Sequence, residues 1–178
     1  MPMDLSAVRD LCDAAAPCMA DLLGVSDYTT TIYYRPCGNA GWVADCGTNP
    51  PYKRAEITID PAEHDDESDA LDSLRHELIH VLLDEFGAYR GIVQAVIAAD
   101  SAADAAERKA WTLGSERTVL RVERLLDGLG WTPTAMAGQD TACSSCEHAW
   151  RAAAPEGTKT VECPSCGARA TLGHVPAT

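Results

Sequence analysis

His76-Glu77-Leu78-Ile79-His80 is the stretch that best indicates the fold and chemistry of this chain. Residues four apart share one face of an α-helix, so the spacing predicts that both histidines bind one metal ion. Glu77 then lies beside that ion, where it can take a proton from a bound water. Because zinc lowers the pKa of bound water to roughly 7, the motif predicts zinc-assisted hydrolysis, most often of a peptide bond.

The residues around the motif are apolar. Between Leu74 and Leu83 the polar residues are Arg75, His76, Glu77 and His80. A chance pattern with solvent-facing histidines is the alternative, but so apolar a segment argues against it. Burying histidines and a carboxylate without partners costs several kcal/mol, and a metal ion removes that cost. We expect a helix from about residue 68 to residue 86, with Gly87 as its stop.

A catalytic zinc takes three protein ligands and a water, so one ligand must come from another element. None of the remaining histidines is an obvious partner, because they lie in an acidic loop or near the C-terminus: His64, His148 and His174. A carboxylate is therefore expected. We favour Glu116, on a predicted helix over 102–129 whose apolar stripe can pack against the motif helix. The alternatives that stay open are Glu123, Glu107 and Asp84, the last also as a partner of a ligand.

Four cysteines form a second metal-binding pattern. Cys143 and Cys146, then Cys163 and Cys166, give two C-x2-C pairs separated by sixteen residues. This spacing is typical of a four-cysteine structural zinc site. So short a module has little core of its own, so the metal would supply much of its stability. The other four cysteines form no such pattern and are interpreted as reduced core or loop residues.

The rest of the chain predicts a mixed α+β domain. We expect a helix over 4–23 and strands at 28–34, 42–44 and 55–60, with a turn over 46–51. Residues 92–99 are ambiguous between helix and buried strand. Small residues with Pro133 and Gly138 indicate a linker. The expected organisation is a metal-binding domain at 1–133, a linker at 134–141 and a zinc ribbon at 142–178.

The net charge of −13 lies entirely in the first 140 residues, since acidic and basic residues balance over 141–178. Such an acidic body repels a phosphate backbone, which argues against nucleic acid as a partner. The ribbon offers few basic contacts, so a protein partner is expected for it instead. No targeting segment and no membrane span is visible, so a cytoplasmic protein is expected.

The HELIH helix, an acidic loop before it and a glutamate on a later helix resemble the zincin metallopeptidases. With Glu116 as ligand the chain is similar to small gluzincin-like proteins, many of them phage-encoded. The resemblance implies a compact domain with a small, mostly antiparallel sheet, the HExxH helix and a second, ligand-bearing helix. It also implies zinc ligands at His76, His80 and Glu116, and the strand at 55–60 as an edge strand that pairs with an extended peptide. A phage-encoded member could be virion-associated.

SprT-like proteases also combine an HExxH helix with a C-terminal zinc ribbon, and this chain resembles them in that order. Their third ligand is a histidine soon after the motif. Residues 87–92 contain no histidine, so this resemblance is partial.

Two functions follow. The first is a zinc metallopeptidase with one catalytic and one structural zinc, in which Glu77 is the general base and Tyr89 a candidate oxyanion donor. Its ribbon would dock a protein partner or help to recognise the protein or peptide substrate. The second is a non-enzymatic protein, such as a phage structural or adaptor protein, that keeps both metals for stability. An intact Glu77 favours the enzyme, because a purely structural site does not need it.

Overall fold

The computed structural model describes residues 3–38 and 41–173, with the backbone alone at 85, 88 and 89. Within these residues the chain forms five α-helices and seven short strands, which confirms the predicted α+β class. The helices are α1 (Leu5–Leu23), α2 (Glu67–Leu83), α3 (Gly87–Gln94), α4 (Ala102–Gly128) and α5 (Pro133–Ala137). The strands are β1 (Thr29–Tyr34), β2 (Ala44–Asn49), β3 (Arg54–Ile59), β4 (Gln139–Ala142), β5 (Ala149–Ala152), β6 (Thr160–Glu162) and β7 (Arg169–Thr171).

The first three strands form one sheet with β3 in the centre. Strand β1 runs parallel to β3 on one side, and β2 runs antiparallel to it on the other. Alternate residues of β3 face the core: Ala55, Ile57 and Ile59 are at most 1% exposed. The sheet therefore contributes one apolar face on which helices can pack.

The expectation that residues 55–60 form the edge strand is wrong, because β3 is central and the two edge strands are β1 and β2. Strand β2 continues through residues 46–49, where a turn was expected, and so covers the whole of β3. Its register pairs Ala44 with Ile59 and Asn49 with Arg54. Strand β2 is therefore one of the two edges of this sheet.

Helix α2 carries the HELIH motif through the centre of the molecule. The Asp66 side chain accepts a hydrogen bond from the Asp69 backbone at 3.0 Å and caps the helix N-terminus. Leu74 and Leu78 are fully buried, and the helix contacts α1, β2 and β3. Gly87 is not the residue that ends the motif helix. Helix α2 ends at Leu83, a short 3-10 turn follows, and Gly87 begins α3 with a helical φ of −61°.

The ambiguous segment at 92–99 completes α3 and then turns into the long helix α4. Among the described residues of α4, only Asp104 and Val119 are buried. Val119 is packed in the core, with Val122 and Leu126 partly buried beside it. Helix α4 thus lies along the surface and meets α2 through its second half.

Residues 134–141, where the composition indicated a linker, contain most of α5 and the start of β4. Met136 is only 1% exposed and packs in the core beside α1 and α2. Strands β4 to β7 follow as two antiparallel pairs. The Glu156 backbone N–H donates to the Gly130 carbonyl at 2.7 Å, which ties this C-terminal module to the end of α4. No helix in the described part of the chain is long and apolar enough to cross a membrane.

Candidate metal centres

Three predicted ligands from two helices meet at one point. His76 and His80 lie one turn apart on α2, with ring centroids 5.0 Å apart. Glu116 reaches them from α4: its Oε2 lies 3.3 Å from His76 Nε2 and its Oε1 lies 3.3 Å from His80 Nε2. Zinc bonds of about 2.0–2.1 Å in a tetrahedron put ligand atoms roughly 3.4 Å apart. These donor atoms therefore lie close enough together to hold one metal ion.

Glu123 has a different place from Glu116, although both lie on one face of α4. Its Oε1 lies 3.0 Å from His76 Nδ1, the ring nitrogen that points away from Glu116. A histidine that donates its second N–H to a carboxylate is held in one tautomer and orientation, with a more basic ligand nitrogen. The hydrogen bond to His76 lowers the pKa of Glu123, which keeps the acceptor ionised. Glu123 therefore holds the His76 ring, whereas Glu116 is the carboxylate that belongs to the candidate metal-binding group.

Glu77 lies between the two histidines in sequence and is almost completely buried, with 6% of its surface exposed. Burial, together with the charges of Asp45 and Glu116, raises the pKa of its carboxyl to about 7, although the charge of His76 acts in the opposite direction. A carboxyl that titrates near neutrality can both accept and return a proton. A bound dication would lower the pKa of Glu77 and favour its ionised form.

The two histidines differ in acidity. Burial opposes the charged form of His76, but the hydrogen bond and charge of Glu123 outweigh it and raise the pKa of His76. Burial dominates at His80 and lowers its pKa, despite the nearby charge of Glu116. In the absence of metal, His80 thus loses its proton at lower pH than His76, and metal binding competes mainly with the proton on His76.

The other carboxylates considered as ligands lie elsewhere. Glu107 accepts a hydrogen bond from Arg90 at 3.0 Å, and the same guanidinium stacks on Trp111 at 5.1 Å, which joins α3 to α4. Asp84 is not in the group of donor atoms that lie within 4.8 Å of one another. Its Oδ2 is buried without a hydrogen-bond partner among the described residues. The Tyr89 side chain lies outside the described part, so its role as an oxyanion donor stays a prediction.

A cleft of about 1470 Å³ opens at this centre. Its walls are β2, α2, α3 and α4, represented by Thr48, Glu77, Gly91 and Leu120. The cleft thus runs between the open sheet edge and the two helices that hold the candidate ligands. None of the described ribbon residues lines it.

Sequence reasoning missed one polar residue of this region. Arg75, next to the first histidine, is 3% exposed and lines the cleft. An arginine beside a motif is usually a surface residue, so only its position in so apolar a segment could have singled it out.

The four ribbon cysteines form the second candidate centre. Cys143 Sγ lies 3.6 Å from Cys166 Sγ, and Cys146 Sγ lies 3.7 Å from Cys163 Sγ. Tetrahedral Zn–S bonds of about 2.3 Å put sulfur atoms roughly 3.8 Å apart. The Ser145 backbone N–H points at Cys143 Sγ at 3.4 Å and lowers the pKa of that thiol, which favours the thiolate that metals bind. All eight cysteines are free, so these four thiols remain available to a metal.

Neither the known protein families, nor the curated proteins, nor the solved structures contain a match to this chain. The class of protein is therefore defined by the two sites alone. It is an α+β protein with two groups of side chains that could each hold a metal ion. One group, the histidine–glutamate centre, consists of His76, His80 and Glu116, and the other consists of the four ribbon cysteines.

Proposed function

We propose that this chain is a zinc-dependent peptidase whose catalytic metal is held by His76, His80 and Glu116. The observation that carries the proposal is the buried Glu77 beside an open three-ligand group. A structural zinc site is closed by four protein ligands, whereas a catalytic site has three and leaves a position for water. The ribbon cysteines, by contrast, supply all four ligands of a closed site.

Zinc at the three ligands would polarise the scissile carbonyl and lower the pKa of water. Glu77 would take a proton from the attacking water and return it to the leaving amine. Glu123 holds the His76 ring in place during the reaction. The low accessibility of Glu77 keeps bulk water from competing for the proton.

The open edge of β2 is the element that binds the substrate. The Asp60 N–H donates to the Val43 carbonyl at 2.9 Å, so the backbone groups of Val43 face β3. In an antiparallel pair this orientation repeats at every second residue, so the residues two and four positions after Val43 also direct their backbone groups toward β3. The alternate residues then direct their backbone N–H and C=O groups toward the cleft: Ala44, Cys46 and Thr48. An extended peptide can add to these groups as a further strand, which gives affinity with little demand on its side chains.

The test is hydrolysis of an unstructured protein or peptide library by the wild type and by Glu77→Gln, with zinc content measured in both. We expect two zinc ions per chain in each protein, with cleavage lost in the variant by a factor of at least about 10². The control is Glu63→Gln, which changes an exposed glutamate that does not line the cleft. Equal cleavage by wild type and Glu77→Gln would refute the assigned role of Glu77. Two bound zinc ions without cleavage by the wild type would support the non-enzymatic alternative.

A further inference from the structure

Arg75 connects the motif helix to the far end of the ligand helix. Its Nη1 donates to Asp127 Oδ1 at 2.7 Å and to the Trp131 carbonyl at 3.3 Å. Its Nη2 donates to Asp72 Oδ1 at 3.1 Å, one turn earlier on α2. One guanidinium thus joins α2, the last turn of α4 and the loop that follows α4.

Helix α4 needs such a connection because little apolar surface holds it. Val119 is its only fully buried apolar residue among those described. Three acidic residues spaced seven and four apart share one face of α4. Each faces different side-chain atoms on α2. Glu116 faces both histidine Nε2 atoms, Glu123 faces His76 Nδ1, and Asp127 faces Arg75. The interface between the two helices is therefore largely a row of polar pairs.

We propose that Arg75 is a positioning residue of the metal centre, an inference that rests on the metal binding proposed above. It fixes the position of α4 along the axis of α2, and this position determines where Glu116 and Glu123 contact the histidines. A helix that slides by one residue moves by about 1.5 Å, whereas metal–ligand distances tolerate only about 0.2 Å. Loss of the Arg75 anchor therefore misplaces a ligand and a ligand-orienting group together.

An arginine suits this role better than a lysine. The planar guanidinium reaches three acceptors in fixed directions, whereas an ammonium is a point charge on a flexible stem. Asp127 and Asp72 are about half exposed, with side-chain exposures of 47% and 54%, so water can solvate them when Arg75 is replaced. Removing one partner of an ion pair is most costly when the other charge stays buried, and both of these carboxylates reach water. Arg75→Met can therefore separate a positioning role from a general contribution to stability.

The test compares zinc affinity at the two centres of the same molecule in wild type, Arg75→Met and Arg75→Lys. Competition with a chelator gives the affinities, and cobalt substitution distinguishes the centres because only the ribbon has thiolate ligands. We expect Arg75→Met to weaken the histidine–glutamate centre by about 10–100-fold and to leave the ribbon unchanged. Arg75→Lys should fall between, and Asp127→Ala should weaken the same centre without adding to Arg75→Met.

Two control variants define what a merely structural role would do. Arg121→Met makes the same substitution on the exposed surface of α4 and should leave both affinities unchanged. Val8→Ala opens a void in α1 and lowers the free energy of unfolding without touching α4. If Arg75→Met binds zinc like the wild type, or weakens it only as much as Val8→Ala does at matched stability, the positioning role is wrong. A wild type that holds zinc only at the ribbon would instead overturn the proposed metal centre, and this inference with it.

Discussion

Glu116 and Glu123 provide the sharpest test of the site, because they lie seven residues apart on one helix face but have different roles. Glu116 Oε atoms lie 3.3 Å from both histidine Nε2 atoms, whereas Glu123 Oε1 lies 3.0 Å from His76 Nδ1. Glu123→Gln keeps the shape and an acceptor oxygen but removes the charge that strengthens the hydrogen bond. We expect zinc affinity to fall by about 10–100-fold, or about 1.4–2.7 kcal/mol. Glu116→Gln alters a proposed ligand, so we expect its zinc affinity to be lower still.

The pH dependence separates the two roles more clearly. Glu123 raises the pKa of His76, so the wild type loses zinc affinity as pH falls through that pKa, by about tenfold per unit for the one proton displaced. In Glu123→Gln the pKa of His76 falls, because the effect of burial is then opposed only by the charges of Glu77 and Glu116, and proton competition weakens. The gap between wild type and variant should therefore be largest at about pH 8 and narrow toward about pH 6.

Chelator competition at both pH values measures this, with the ribbon zinc as an internal reference. Glu107→Gln makes the same change elsewhere on α4, at a residue bonded to Arg90, and should leave zinc affinity unchanged. Equal affinities of wild type and Glu123→Gln at the higher pH, or a gap that widens as pH falls, would refute this reasoning.

Two further predictions concern the sheet edge and the ribbon. Thr48→Pro removes a backbone N–H that faces the cleft and leaves the β2–β3 hydrogen bonds intact. It should lower cleavage of extended peptides at unchanged zinc affinity, and unchanged cleavage kinetics would argue against strand addition at β2. Cys166→Ser should reduce bound zinc from two ions to one, since structural zinc supplies about 10–16 kcal/mol of apparent folding free energy in small modules. Limited proteolysis should then cut within 142–173, and a variant that keeps two zinc ions and its protease resistance would contradict the assignment.

The features that the sequence predicts well are those set by short-range geometry. The H-E-x-x-H spacing defines one helix face whatever the rest of the chain does, and α2 (Glu67–Leu83) lies close to the predicted range. Each C-x2-C pair likewise predicts a tight turn of the chain that presents two thiols, and the fold brings the four sulfur atoms together. In both cases a few neighbouring residues carry the whole signal.

Strand order could not be read in the same way. The alternation in residues 55–60 predicts a strand with one buried face, but any strand of the sheet has that pattern. Whether it lies at the centre or the edge depends on its pairing with distant segments. Glycine and cysteine at 46–47 concealed the strand that covers it, because β2 has none of the β-branched density of β1.

The sequence could not decide between Glu116 and Glu123 as the metal ligand for a related reason. Periodicity places both on one face of α4, and nothing in the spacing says which of them meets the metal. That depends on how far α4 lies along α2, a tertiary quantity. The Arg75–Asp127 pair contributes to it, yet it joins residues 52 apart that no local pattern connects.

Under the proposed function, metal binding and the docking of α4 on α2 are coupled. Val119, as the only fully buried apolar side chain among the described residues of α4, contributes on the order of 2 kcal/mol by burial. That is small against the conformational entropy of a long helix, so α4 depends on its polar face. Glu116 gains a positively charged partner on α2 only when a metal ion binds the histidines or a proton charges one of them. Under the proposed function, a metal ion at neutral pH would therefore be part of the α2–α4 interface as well as the source of the chemistry.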